Sequence, residues 1–184
     1  MSDKYSLSVF CGSSFGVNPI YVESTMAFGK LIAQKDIRLI YGGGNTGLMG
    51  VLADTVLQAG GEVIGIIPKS LFERERAHSG LTKLHVVFSM HERKALMDRF
   101  SDGVVALPGG LGTFDEFIEI MTWNQLGFIN KPAGLLNISG YFDHLIAQVD
   151  FAVAEGFVSA DLRDKIIIET ECKVLLKKVM SIHN

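Results

Sequence analysis

The sequence predicts an α/β fold, a doubly wound parallel sheet with helices on both faces. Two observations carry this expectation. Short β-branched runs alternate with longer amphipathic stretches along the chain. The runs are continuously apolar, as strands covered on both faces are, and do not alternate between apolar and polar.

Taken in order, strands are expected at residues 7–11, 37–41, 62–67, 84–88, 103–107 and 133–137. Helices are expected between them, at 19–34, 46–59, 91–100, 112–126 and 141–154. In the second helix Leu48, Val51, Leu52, Val56 and Ala59 keep helical spacing, and Gly60-Gly61 then ends it. The third carries the stripe Arg93, Leu96, Met97 and Phe100, the fourth Phe114, Phe117, Ile118 and Met121. The tail, 160–183, reads as helix or as helix plus a short strand. No repeat, low-complexity segment or linker interrupts the 184 residues, so one domain spanning 1–184 is expected.

A net charge of −3 with no basic stripe argues against a nucleic-acid partner. No apolar stretch approaches the length of a membrane span, so no membrane partner is expected. Cys11 and Cys172 stand far apart, in no metal or redox spacing. With no signal-peptide pattern at the start, a reduced, cytoplasmic setting follows. None of the five histidines has metal-ligand spacing, and no catalytic metal is expected.

In a sheet of this type ligands bind beyond the C-terminal strand ends. Four unusual segments fall there: 11–14, 42–50, 90–94 and 108–116. Gly42-Gly43-Gly44-Asn45-Thr46-Gly47 has the pattern G-x-G-x-x-G, with Gly43 and Gly44 placed for backbone approach to a phosphate. It follows the second strand, not the first, and no acidic residue ends the next strand. A nicotinamide site is therefore not expected. A tight turn that needs glycine is the plainer reading of the same residues. Gly12 and Ser13 could line a phosphate or sugar pocket, or only make the turn.

Pro108-Gly109-Gly110-Leu111-Gly112-Thr113 is a second glycine loop that opens a helix, an anion site by its exposed N–H groups. Glu116 lies off the apolar stripe, and Thr113-x-x-Glu116 also reads as a capping box. Arg93 heads a stripe that looks buried, and a buried guanidinium needs a carboxylate or phosphate partner. That partner is a ligand, or else an internal carboxylate such as Glu116 or Asp98. Ser89-x-x-Glu92 is a further capping box.

The segment Met90-His91-Glu92-Arg93-Lys94, followed by Pro108-Gly109-Gly110-Leu111-Gly112-Thr113-Phe114-Asp115-Glu116, resembles the Lonely Guy (LOG) family of cytokinin riboside 5′-monophosphate phosphoribohydrolases. The pattern P-G-G-x-G-T-x-x-E and the upstream Arg-Lys pair are complete, and the likeness covers nearly the whole chain. The resemblance implies a Rossmann-like homodimer without a redox cofactor, acting on a nucleoside 5′-monophosphate to release free base and ribose 5-phosphate. It places the catalytic pair on Arg93 and Glu116. Nucleotide binding falls on Lys94, on Gly110, Leu111, Gly112, Thr113 and Glu116, on Thr122, and on Glu75. Asp115 stands where many relatives have glutamate. The competing class is a non-hydrolytic nucleotide or molybdenum-cofactor carrier of the same fold. A pyridoxal enzyme is not expected, because no lysine sits in a recognisable cofactor motif.

Overall fold

The computed structural model describes residues 4–72 and 76–181. The strands are β1 (Ser6–Phe10), β2 (Arg38–Tyr41), β3 (Val63–Pro68), β4 (Lys83–Val87), β5 (Gly103–Ala106), β6 (Ala133–Leu136) and β7 (Ile166–Glu169). They form one sheet in the order β4-β3-β2-β1-β5-β6-β7, with every pairing parallel. The helices are α1 (Ile20–Gln34), α2 (Gly47–Gln58), α3 (Met90–Phe100), α4 (Leu111–Gln125), α5 (Asp143–Ala154), α6 (Ala160–Asp164) and α7 (Cys172–Ser181). The doubly wound α/β fold is as expected. The tail resolves into helix, strand and helix, the strand being the Ile166-Ile167-Ile168 run paired with β6.

Each face of the sheet has its own core. Leu7, Val9, Leu39, Tyr41 and Val105 pack under Phe28 and Ile32 of α1, Leu52 and Val56 of α2, and Leu175 and Val179 of α7. Phe10, Ile40, Ile66, Val104 and Ala106 pack under Met97 of α3, Phe117, Ile120 and Met121 of α4, and Phe142. The period-2 alternation of a strand sends neighbouring residues of β1 to opposite cores. Because both faces are covered, the strands read as unbroken apolar runs.

The chain winds outward from β1 to β4, then returns to lay β5 on the other side of β1. This reversal opens a crevice beyond the ends of β1 and β5, the switch point where such sheets bind ligands. The two strand ends are tied there: the Gly12 N–H donates to the Pro108 carbonyl at 3.0 Å. Among the described residues no helix is long and apolar enough to cross a membrane.

Candidate active site

The two glycine loops meet at this edge, and their glycines serve different ends. In the first loop, packing accounts for glycine at 43 and 47. A Cβ on Gly43, at φ 78°, would press on Ile67 and Leu84, and one on Gly47, at φ 56°, would lie 2.3 Å from the Ser13–Ser14 backbone. Gly42, Gly43 and Gly44 are all buried. In the second loop, a Cβ on Gly110 or Gly112 would meet nothing within 4 Å, and neither residue has a positive φ. Neither packing nor backbone strain requires glycine at these two positions. Their bare backbone leaves room for close approach from outside.

Helix α4 begins in this second loop, with Gly110 as N-cap and no side-chain cap bond. Its first-turn N–H groups are therefore not capped by a side chain, as an anion site requires. Thr113 is the third helical residue and not a cap, so the capping-box reading of Thr113 and Glu116 does not apply. The Thr113 side chain tucks beneath Gly109, where an added Cβ would lie 2.1 Å from Thr113 Oγ1. At Ser89 the cap does form: its hydroxyl accepts from the Glu92 N–H at 3.1 Å, while the Glu92 carboxylate accepts from the Phe88 N–H, one residue before the cap, at 2.8 Å.

Glu116 lies on the buried side of α4 with Thr113, Phe117, Ile120 and Met121. Of the apolar stripe Phe114, Phe117, Ile118 and Met121, Phe117 and Met121 are buried as expected, whereas Ile118 is exposed and Glu116 shares the buried face. Glu116 Oε1 meets Arg93 Nη1 of α3 at 2.7 Å, and both side chains are about nine-tenths buried. Arg93 Nε donates to the Ile66 carbonyl at 3.1 Å, and Nη2 lies over Gly42, where a Cβ would sit 2.2 Å from it. The guanidinium is thus held by a carboxylate, a carbonyl of β3 and the absence of a side chain at 42. An arginine and a carboxylate so buried cost desolvation unless paired and hydrogen-bonded, and here they are. Of the carboxylates weighed for Arg93, Glu116 is the partner; Asp98 is bound to Lys131 at 2.6 Å.

Lys94 points the other way, to Asp115 Oδ2 at 2.8 Å and Glu119 Oε2 at 3.3 Å, and bridges α3 to α4. Burial pushes its pKa down, but the bonds to Asp115 and Glu119 outweigh this and leave it raised. Thr122 is exposed and lines an apolar groove with Ile118, Met121, Leu145 and Leu162, away from the Arg93–Glu116 pair. Gly12, Ser13 and Gly110 line a cavity of about 240 Å³ at the switch point. Leu111 is 85% exposed at the tip of the loop. Glu75 falls outside the described residues.

Cys11 follows β1, close to the pair. Burial and then the Glu116 charge hold its thiol far above the ordinary range, which suits a small core residue and not a nucleophile. Among the described residues no group of three or more His, Cys, Asp and Glu is placed to hold a metal ion. Sequence reasoning missed Gly42, the Ile66 carbonyl and Tyr141, whose hydroxyl donates to the Gly109 carbonyl. Gly42 carries a signal, a glycine directly after a strand, but one shared with the rest of its loop; a backbone carbonyl carries none.

Comparison with known proteins matches residues 49–179 to a family model described as "Possible lysine decarboxylase". A cytokinin riboside 5′-monophosphate phosphoribohydrolase of Rhodococcoides fascians is 46% identical over 89% of this chain and 83% of its own. One of Arabidopsis thaliana is 44% identical over 94% of this chain and 80% of its own. The chain belongs to the LOG family. Among solved structures, a molybdenum cofactor binding protein of Rippkaea orientalis superposes with a TM-score of 0.74 at 24% identity, each chain fully covered. The molybdenum cofactor carrier protein of Chlamydomonas reinhardtii gives 0.71 at 18%, over 97% of this chain and 99% of its own. At these identities the likeness to both is one of fold. The decarboxylase description would imply pyridoxal phosphate, but the lysine beside the family's paired motifs does not fit it. A Schiff-base lysine needs a lowered pKa, and Lys94 is raised by two carboxylates.

Proposed function

We propose that this chain, as one domain, hydrolyses the N-glycosidic bond of nucleoside 5′-monophosphates to free base and ribose 5-phosphate. The observation that carries the reading is the buried Arg93–Glu116 pair beside the uncapped, glycine-lined start of α4. Relatives at 44–46% identity that bear this activity by name support it. The second-loop amides of Gly110, Leu111, Gly112 and Thr113 receive the 5′-phosphate, with Gly12 and Ser13 on the facing wall of the crevice. As the bond to the base breaks, positive charge grows on the sugar. The Glu116 carboxylate stabilises that charge and orients the water that adds to the sugar carbon. Arg93 keeps the carboxylate in register and faces substrate oxygens. The proton from water ends on the departing base.

A homodimer in the cytoplasm accompanies this reading. The groove between α4, α5 and α6 is almost wholly apolar, and Phe157 and Leu126 beside it are 81% and 58% exposed. A second copy seated there would carry Thr122 into an interface.

The test is release of base and ribose 5-phosphate from AMP and from isopentenyladenosine monophosphate, with adenosine and Glu116→Gln as comparisons. Expected are release from at least one nucleotide, at least about 100-fold lower kcat/KM with adenosine, and a loss of about 10²–10⁴-fold in the variant. Equal rates on adenosine and AMP would remove the phosphate from the argument. Binding without release would make the protein a carrier.

A further inference from the structure

The Gly109–Gly110 peptide sits at the lip of the switch-point cavity, and no side chain on either residue biases its orientation. In a trans peptide the carbonyl and the next N–H point in opposite directions. Flipping the plane would therefore exchange a donor for an acceptor at the same place. Among the described residues, those lining this cavity, such as Gly12, Ser13, Gly109 and Gly110, include none that is charged. An anion held there depends on N–H groups and hydroxyls, and a carbonyl turned toward it would repel it. At about 240 Å³ the cavity falls below the roughly 300–1,000 Å³ of a site for a whole drug-sized ligand. It suits the sugar-phosphate end of a nucleotide.

Tyr141, itself on the cavity wall, hydrogen-bonds to this peptide. Its hydroxyl donates to the Gly109 carbonyl, which directs the Gly110 N–H away from Tyr141. Its ring is braced edge-on by Tyr21, with centroids 5.4 Å apart, and by Phe142 at 5.1 Å. The turn that delivers it is strained and cross-tied. Ser139 and Gly140 both adopt left-handed conformations, at φ 52° and 70°. A Cβ on Gly140 would lie 2.4 Å from the Asp143 carboxylate. Asn137 accepts from the Phe142 N–H at 2.7 Å and donates to Asp143 at 2.7 Å. A non-glycine residue held at positive φ persists only where its surroundings over-determine it.

We propose that Tyr141 is a positioning residue that locks the Gly109–Gly110 peptide with its N–H available to the substrate phosphate. It acts on phosphate affinity and not on the bond that breaks. The proposal rests on the phosphoribohydrolase reading above.

Tyr141→Phe keeps the braced ring and removes only the hydroxyl. With AMP the variant is expected to raise KM about fivefold, the scale of one hydrogen bond, with kcat within about twofold of the parent. Inhibition by ribose 5-phosphate weakens by the same factor. Unchanged KM and ribose 5-phosphate inhibition overturn the proposal, as does a fall in kcat at constant KM. If the parent protein releases no base from AMP, the functional reading fails separately. Calorimetric titration of both proteins with ribose 5-phosphate then decides: weaker binding by the variant supports the lock, and equal binding overturns it.

Discussion

Gly42→Ala isolates the geometry of the catalytic pair. Gly42 does not lie at positive φ, so the backbone accepts alanine, and at such a site the change alone tends to stabilise by about 0.4–1 kcal/mol. The new methyl would lie 2.2 Å from Arg93 Nη2, against 3.4 Å for an ordinary contact, so the guanidinium must retreat by about 1.2 Å. A long side chain can make that retreat. It cannot keep both the 2.7 Å bond to Glu116 and the 3.1 Å bond to the Ile66 carbonyl as they stand. Overpacking of this kind costs about 1–3 kcal/mol, so the variant should fold with a modestly lowered unfolding midpoint. Misplacing a catalytic group by about 1 Å costs about 100-fold in rate, or about 2.7 kcal/mol of barrier. The assay is base release from AMP beside a thermal melt. A folded variant with kcat/KM within threefold of the parent would show that Arg93 need not stand where it does.

Gly110→Ala should behave differently. The methyl meets nothing within 4 Å among the described residues, but alanine is a poorer N-cap than glycine, so the melt is unchanged or slightly lower, while KM for AMP rises because the methyl occupies the ligand's approach; an unchanged KM would show that nothing approaches there. Cys11 should resist iodoacetamide in the native protein at pH 8 and react after denaturation, since burial keeps its thiol protonated and covered; peptide mass spectrometry reads the label. His85 has its pKa lowered by burial and by Lys83, and its buried Nε2 has no hydrogen-bond partner. The unfolded chain therefore binds the proton more readily, and the stability due to neutral His85 is present above about pH 6.5 and lost as pH falls through its folded pKa. The drop in unfolding midpoint between pH 7.5 and pH 5 should be smaller in His85→Leu than in the parent, and equal drops would remove His85 from the acid limb.

The sheet was readable because its strands are buried on both faces and so appear as apolar runs, and because glycine marks their ends. The seventh strand was only half visible: four residues between two short helices leave little pattern beyond Ile166-Ile167-Ile168. Arg93 stood out because a charge headed an apolar stripe, and burial needs a partner. The identity of that partner depends on how α3 and α4 lie across the sheet, which no local pattern carries. Glu116 was ambiguous for the same reason. A four-residue capping signature and a buried face look alike until the start of the helix is fixed, and here it starts at Leu111, too early for Thr113 to cap it. In the first glycine loop a ligand and a close-packed backbone ask for the same residue, and only the neighbours of each missing Cβ tell them apart.

The sheet order also governs how the chain may be divided. Arg93 belongs to the half that runs outward from β1, whereas Glu116 belongs to the half that begins with β5. A fragment ending at Phe100 would carry a core-facing guanidinium without its native counterion, and its complement would carry the acid alone. Mixing two such fragments would restore turnover only as their halves dock, so recovered catalysis would measure the closing of that seam directly.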